Sequence, residues 1–130
     1  MTVFSAQRVY EAMKQVVQEA GPDFVYDKNA CGRDGSCRYY WRDQPDCLIG
    51  KVLAKLGIDV KTELEGVGQR PYDWRRTSRQ YLAERFTDNA LAIMQTAQLL
   101  QDKGTSWGNC IEIENLTSHM IQKNVDQIID

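Results

Sequence analysis

The chain has 130 residues, of which 42% are hydrophobic and 26% charged, and its formal net charge is −2. A chain of this length buries roughly two-thirds of its unfolded surface and needs no metal or disulfide to fold. We therefore predict a single globular domain over residues 1–130. The slightly acidic net charge argues against a protein that coats nucleic acid, because such proteins are strongly basic.

The N-terminal sequence MTVFSAQRVYEAMKQ reaches charged residues before any long apolar run, so we expect no signal peptide. No window approaches the roughly 20 apolar residues that span a membrane. These two features predict a cytoplasmic protein that does not contact membranes. Structural disulfides are rare in that reducing compartment.

Residues 5–20 predict the first helix. Ser5 is a suitable N-cap, and Gly21 followed by Pro22 is a strong stop signal. The apolar residues between these signals recur at helical spacing on one face: Val9, Ala12, Met13, Val16, Val17 and Ala20.

Two aromatic runs follow this helix, DFVYD at 23–27 and CRYYW at 37–41. Glycine, asparagine and aspartate separate them, which favours a β-hairpin whose connection is longer than a tight two-residue turn. A two-stranded sheet is not stable alone in water, so we expect it to lie against the helices.

The next part of the chain predicts a helix, a loop and a third helical region. The second helix extends from Asp46, its candidate N-cap, to Gly57, its stop signal. Residues 58–74 have mixed polarity and predict a loop. The third helical region is predicted over 77–86.

Two more helices are predicted in the remaining chain. Thr87 or Asp88 can cap the first of them, which Gly104 ends, and Ser106 can cap the second. Apolar residues of this last helix recur at helical spacing: Cys110, Ile113, Leu116 and Met120. The fold class is therefore a mostly helical α+β protein, a bundle of about four to five helices with a small two-stranded β-hairpin.

The cysteines do not have the spacing of a metal or redox site. Cys31, Cys37 and Cys47 are separated by intervals wider than the close pairs of structural zinc sites, and no C-x-x-C pair is present. The simpler interpretation treats Cys37 and Cys47 as small buried hydrophobic residues and Cys31 as a free thiol in a turn. We expect no metal and no cofactor.

Nucleophilic catalysis needs a base beside the nucleophile, and His119 is the single histidine. Cys110 lies nine positions earlier on the same predicted helix, so the two side chains fall on opposite faces. We expect no enzymatic activity, although an active site assembled from distant elements remains a hypothesis.

Two groups of segments carry a resemblance to known proteins. The first comprises CRYY at 37–40, PDCLIGKVL at 45–53 and the pair Leu56-Gly57, and the second comprises QDKG at 101–104 with SWG at 106–108. Together they resemble small proteins of actinobacteria and their phages. The resemblance covers about half of the chain. It implies a phage or actinobacterial setting and a bacterial host cytoplasm, and it implies no activity, cofactor or catalytic residue.

The segment RPYDWRRTSRQYLAERF, residues 70–86, is the most charged and aromatic part of the chain. Five arginines against two acidic residues give it a local net charge of +3. Arginine with aromatic residues suits phosphate contacts and base stacking, and it suits a protein interface equally well. A solvated helix with its aromatic side chains turned inward is the third interpretation.

The candidate binding residues come from this segment and from the aromatic run before it: Arg75, Arg76, Arg79, Trp74, Tyr72, Trp41 and Tyr39. In a continuous helix Arg76 and Arg79 would share one face and could present two guanidinium groups to carboxylates. Trp74, Tyr81 or Leu82 would anchor that helix to the core.

These features predict a non-catalytic accessory protein that binds a host or viral protein. The alternative is a nucleic-acid-associated regulator that uses the same arginines on phosphate. A homo-oligomer is a further hypothesis, because the acidic residues of 112–130 could pair with the basic segment of a second copy.

Overall fold

We describe the protein from a computed structural model, which describes residues 3–26, 38–67 and 69–119. Helices predominate in these residues, and one two-stranded antiparallel sheet accompanies them, which confirms the mostly helical α+β prediction. The elements in chain order are α1 (Ala6–Ala20), β1 (Tyr40–Trp41), β2 (Gln44–Pro45), α2 (Leu48–Lys55), α3 (Val60–Leu64), a 3₁₀ helix (Pro71–Arg76), α4 (Gln80–Ala83), α5 (Asp88–Asp102), α6 (Trp107–Cys110) and α7 (Ile113–His119).

Helix α1 forms where its capping signals predict it. The Ser5 hydroxyl accepts a hydrogen bond from the Arg8 backbone N–H at 3.2 Å. Gly21 ends the helix with a φ of 97°, a conformation that glycine adopts without a steric penalty. The predicted apolar face is buried except for Ala20, which is exposed, and α1 packs against α2 and α5.

The observed hairpin differs from the predicted one. Tyr40 pairs with Pro45 and Trp41 with Gln44, so the sheet forms within 40–45 and not between 23–27 and 37–41. The two connecting residues, Arg42 and Asp43, have φ values of 53° and 65°, which is the geometry of a tight two-residue turn. The prediction missed this turn because glycine or asparagine usually marks it and neither is present here.

The described part of the predicted first strand, residues 23–26, contacts α6 instead of pairing with a second strand. The Phe24 carbonyl accepts the Trp107 backbone N–H at 2.8 Å, which ties this segment to the start of α6. Phe24 and Val25 are exposed, whereas Tyr26 is buried and donates its hydroxyl hydrogen bond to Asp46. Asp27 lies outside the described residues.

Helix α2 begins one residue later than predicted. Cys47 is its N-cap, and the Cys47 Sγ accepts a hydrogen bond from the Gly50 N–H at 3.5 Å. A side chain of α5 also takes part in the capping, since Gln101 Oε1 accepts the Leu48 N–H at 2.8 Å. The predicted stop is confirmed, because Gly57 follows the helix with a φ of 84°.

The predicted loop and third helix are replaced by three short helical elements. Residues 58–74 contain α3 and the start of the 3₁₀ helix, and α4 spans only Gln80–Ala83. Thr77 separates the last two elements with an extended backbone, φ −123° and ψ 179°. Its hydroxyl donates to the Trp74 carbonyl at 3.0 Å, which closes the 3₁₀ helix at that point.

The C-terminal prediction is correct for α5 and wrong for the last helix. The Thr87 hydroxyl caps α5 by accepting the Ala90 N–H, and Gly104 follows α5 with a φ of 92°. The final predicted helix is interrupted at Ile111, which is buried, and Ile113 is 38% exposed instead of facing the core. Met120 lies outside the described residues.

The core draws on nearly every element. Val16, Leu53 and Met94, each predicted to be buried, are at most 2% exposed. The N-terminal segment before α1 also meets the end of the arginine-rich segment, because Phe4 forms a bridge with Phe86 and their ring centres lie 5.4 Å apart.

Candidate binding surface

Arg75 has a defined position on the surface of the protein. Its guanidinium carbon lies 5.4 Å from the centre of the Tyr72 ring, and its Nη2 donates to Asp88 Oδ1 at 2.8 Å. Tyr72 is half-buried, and its backbone N–H donates to Gln95 Oε1 of α5 at 3.1 Å. The aromatic ring and the carboxylate therefore hold the Arg75 guanidinium on two sides.

Arg76 and Arg79 do not share a helical face, so that prediction is wrong. Arg76 is the last residue of the 3₁₀ helix, whereas Arg79 is the N-cap of α4, and the extended Thr77 lies between them. The Arg76 side chain is exposed and makes no hydrogen bond or ion pair with the described residues. Arg79 is half-buried, and its Nε donates to the Glu63 carbonyl at 3.0 Å.

Trp74 and Tyr39 lie in the core, so neither can contribute to a surface for a partner. Both side chains are fully buried, and their rings lie 5.8 Å apart. The Gln69 carbonyl accepts from the Trp74 Nε1 at 3.2 Å and lies 2.6 Å from the Tyr39 hydroxyl. Trp74 thus anchors the 3₁₀ helix, which agrees with the anchoring role that the sequence also suggested for it.

Tyr81 is a surface residue that the sequence interpretation assigned to the anchor. It is 51% exposed, and its hydroxyl donates to the Glu63 carboxylate. This hydrogen bond raises the pKa of Tyr81 above its ordinary value. Leu82, which is 1% exposed, and Ala83 are the residues of α4 that face the core.

We call Tyr72, Arg75, Arg76, Arg79 and Tyr81 the arginine surface. Arg70, at the start of the same segment, is not part of it, because Arg70 Nη2 is paired with Asp102 Oδ2 at 3.0 Å.

Trp41 belongs to the hairpin, which lies next to the C-terminal end of α3. A groove of about 300 Å³ separates the hairpin from this end, with Arg38 and residues 40–43 on one side and Glu65 and Gly66 on the other. The Arg38 guanidinium carbon lies 5.9 Å from the centre of the half-buried Trp41 ring. A groove of this volume is at the small end of ligand pockets, so it suits one side chain better than a cofactor.

A larger groove of about 490 Å³ lies between α1, β2 and α2. Val16 and Pro45 contribute to its apolar lining, and Lys55 Nζ at its rim pairs with Glu19 at 2.7 Å. This groove contains no residue of the arginine surface.

The cysteines require a correction. Cys47 is disulfide-bonded and fully buried, so it is not the unpaired hydrophobic residue that the sequence interpretation made it. Cys110 is a buried free thiol. Cys31 and Cys37 lie outside the described residues, and the described parts of the chain contain no cluster of three or more potential metal ligands.

Among the helices of 3–26, 38–67 and 69–119, none is long and apolar enough to cross a membrane.

No family model, no curated protein and no solved structure matches the chain.

Proposed function

We propose that this protein is a non-catalytic accessory factor that binds a host or viral protein through the arginine surface. The setting that we propose is a phage or an actinobacterium, on the strength of the two resembling segments, and the location is the bacterial host cytoplasm. The partner would be a protein that presents aspartate or glutamate side chains to the guanidinium groups.

One observation carries the proposal. Arg75 and Arg76 are exposed at the end of a short helix whose Trp74 side chain is completely buried. Burial of that indole fixes the helix to the core, so two cationic side chains are presented from a rigid support. A partner that binds a preorganised surface loses less conformational entropy than one that must order it.

The composition of the surface favours a protein partner over nucleic acid. Arginine and tyrosine are enriched at protein interfaces, and both residue types are exposed or half-buried here. Tight phosphate binding depends on many cationic contacts, whereas the chain has a formal net charge of −2. The net charge of the chain therefore favours a protein partner over nucleic acid.

Charge reversal tests the proposal. Arg75→Glu combined with Arg76→Glu should reduce capture of the partner from actinobacterial lysate by more than about tenfold, since like charges across an interface are strongly unfavourable. Arg79 is left unchanged in this test because its hydrogen bond to the Glu63 carbonyl gives it a structural role. Captured proteins would be identified by mass spectrometry, and circular dichroism would confirm folding.

A matched control distinguishes an effect of the arginine surface on capture from an effect of the protein's net charge. Arg8→Glu with Lys14→Glu makes the same change in charge on the exposed face of α1 and should leave capture unchanged. Equal loss in both double variants, or no loss in either, contradicts the proposal. Retention that nuclease treatment removes would instead support the nucleic-acid alternative.

The proposed location has its own test, because a disulfide at Cys47 is more typical of oxidising compartments. If the protein works in the bacterial cytoplasm, acid quenching of living cells followed by alkylation of the denatured protein should find Cys47 reduced. Cys47 that resists alkylation until a reductant is added would place the protein in an oxidising compartment.

A further inference from the structure

The ion pair between Arg75 and Asp88 is the feature from which the inference starts. Asp88 is the first residue of α5, and its side chain is 83% exposed, whereas the Arg75 side chain is 45% exposed. The two side chains meet at 2.8 Å on the outside of the molecule. Neither residue is held there by burial, so another group can replace either partner.

The Asp88 carboxylate is already paired with the Arg75 guanidinium, the group that an acidic protein would bind. From the proposed function, on which this step rests, we infer that Asp88 is an internal competitor for Arg75. The partner binds by bringing an aspartate or glutamate carboxylate that replaces the carboxylate of Asp88. Asp88 also repels an acidic partner directly, so its negative charge weakens binding in two ways.

The support of Arg75 does not depend on Asp88. The guanidinium lies over the Tyr72 ring, and Tyr72 is held to α5 by the hydrogen bond from its backbone N–H to Gln95. When Asp88 is displaced, this ring still positions the guanidinium for the incoming carboxylate. The planar donor groups that arginine presents match the two oxygens of the incoming carboxylate.

The experiment measures binding of a synthetic peptide of eight glutamates to the full-length chain by fluorescence anisotropy. Asp88→Asn keeps the shape of the side chain and removes its charge. Because exposed ion pairs are weak, we expect Asp88→Asn to tighten binding of the peptide by about two- to fivefold. Circular dichroism would confirm that α5 remains folded.

Two controls test whether the tighter binding by Asp88→Asn comes from loss of the ion pair with Arg75. Glu19→Gln removes the acidic partner of a second exposed ion pair, Lys55 with Glu19, and makes the same change in net charge away from Arg75. It should alter binding less than Asp88→Asn does. In a chain that carries Arg75→Ala, the gain from Asp88→Asn should disappear, since the gain acts through Arg75.

The outcomes separate this inference from the proposed function. Equal tightening by Glu19→Gln, or a gain that persists with Arg75→Ala, overturns the competitor role and leaves the arginine surface in place. Binding that Arg75→Glu with Arg76→Glu does not weaken overturns the proposed function itself. Absence of binding by both the wild-type chain and Asp88→Asn overturns both.

Discussion

Cys110 is a thiol in an apolar site with one weak polar contact. Its side chain is fully buried, and its Sγ donates to the Thr105 carbonyl at 3.4 Å. Burial, with a smaller contribution from the negative charge of Asp102, raises the pKa of the Cys110 thiol to about 12. The thiolate is the reactive form of cysteine, so Cys110 is protonated and shielded at any pH at which ordinary thiols react.

We therefore expect Cys110 to resist a thiol reagent in the native protein at mildly alkaline pH and to react fully after denaturation. Peptide mass spectrometry would identify the modified residue. Asn109→Cys adds an exposed thiol beside it and should react at once in the native state. Comparable rates for Cys110 and the introduced thiol would show that the site opens readily or is wrongly placed.

At the scale of elements, the contact between α2 and the hairpin depends on the absence of a side chain. A Cβ atom added at Gly50 would lie 2.2 Å from the Tyr39 carbonyl oxygen. Gly50 is buried in the first turn of α2, and the Tyr39 carbonyl already accepts the Asp46 N–H at 3.0 Å. Both groups belong to backbone that is fixed by hydrogen bonds, so neither can move away cheaply.

Gly50→Ala should consequently lower the free energy of unfolding by about 1–3 kcal/mol, the usual cost of overpacking, although alanine favours helix over glycine. Denaturant unfolding would measure this loss. Ala54→Ser, at an exposed position of the same helix, should change stability by less than about 0.5 kcal/mol. If Gly50→Ala stabilised the protein, α2 could not approach the hairpin as closely as described.

The elements that the sequence predicted well are those whose ends carry local signals. Ser5 and Thr87 cap their helices, and Gly57 and Gly104 follow theirs with positive φ, because these interactions involve residues only a few positions apart. The N-cap of α2 shows the limit of such signals. Asp46 was the better local candidate, but it accepts a hydrogen bond from Tyr26, twenty residues away.

The same limit applies to the helical break that separates Arg76 from Arg79. A continuous helix was reasonable from the sequence, but burial of Trp74 and the hydrogen bond from the Thr77 hydroxyl to the Trp74 carbonyl end the 3₁₀ helix. Packing against the core decides this geometry. A helical periodicity of charged residues contains no information about it.

At the scale of the whole molecule, composition indicated a candidate binding segment, residues 70–86, but not which of its aromatic side chains are buried. Trp74 and Tyr39 were grouped with the arginines because interfaces and cores are both rich in aromatic residues. The fold assigns these two to the core and leaves Tyr72 and Tyr81 at the surface. It also brings both the hairpin and the arginine surface next to the C-terminal end of α3, which no local pattern could predict.

The buried residues form one cluster that includes members from α1 through α7. Trp74 lies in this cluster beside Tyr39 and Phe86, whereas Trp107 lies beside Phe24 and Tyr26. If the chain is the single domain predicted from its length, these two indoles report on one cooperative transition. If it is not, they report on separate units.

We expect coincident unfolding of both regions in denaturant. A Trp41→Phe, Trp107→Phe variant leaves Trp74 as the fluorescent probe, and a Trp41→Phe, Trp74→Phe variant leaves Trp107. Replacing a buried indole can shift the midpoint, so fluorescence is compared with far-ultraviolet circular dichroism within each variant. The two curves should superimpose in both variants because a shared core must be lost as a whole. A fluorescence transition that precedes the loss of helix in either variant would show that its tryptophan belongs to a unit that unfolds independently.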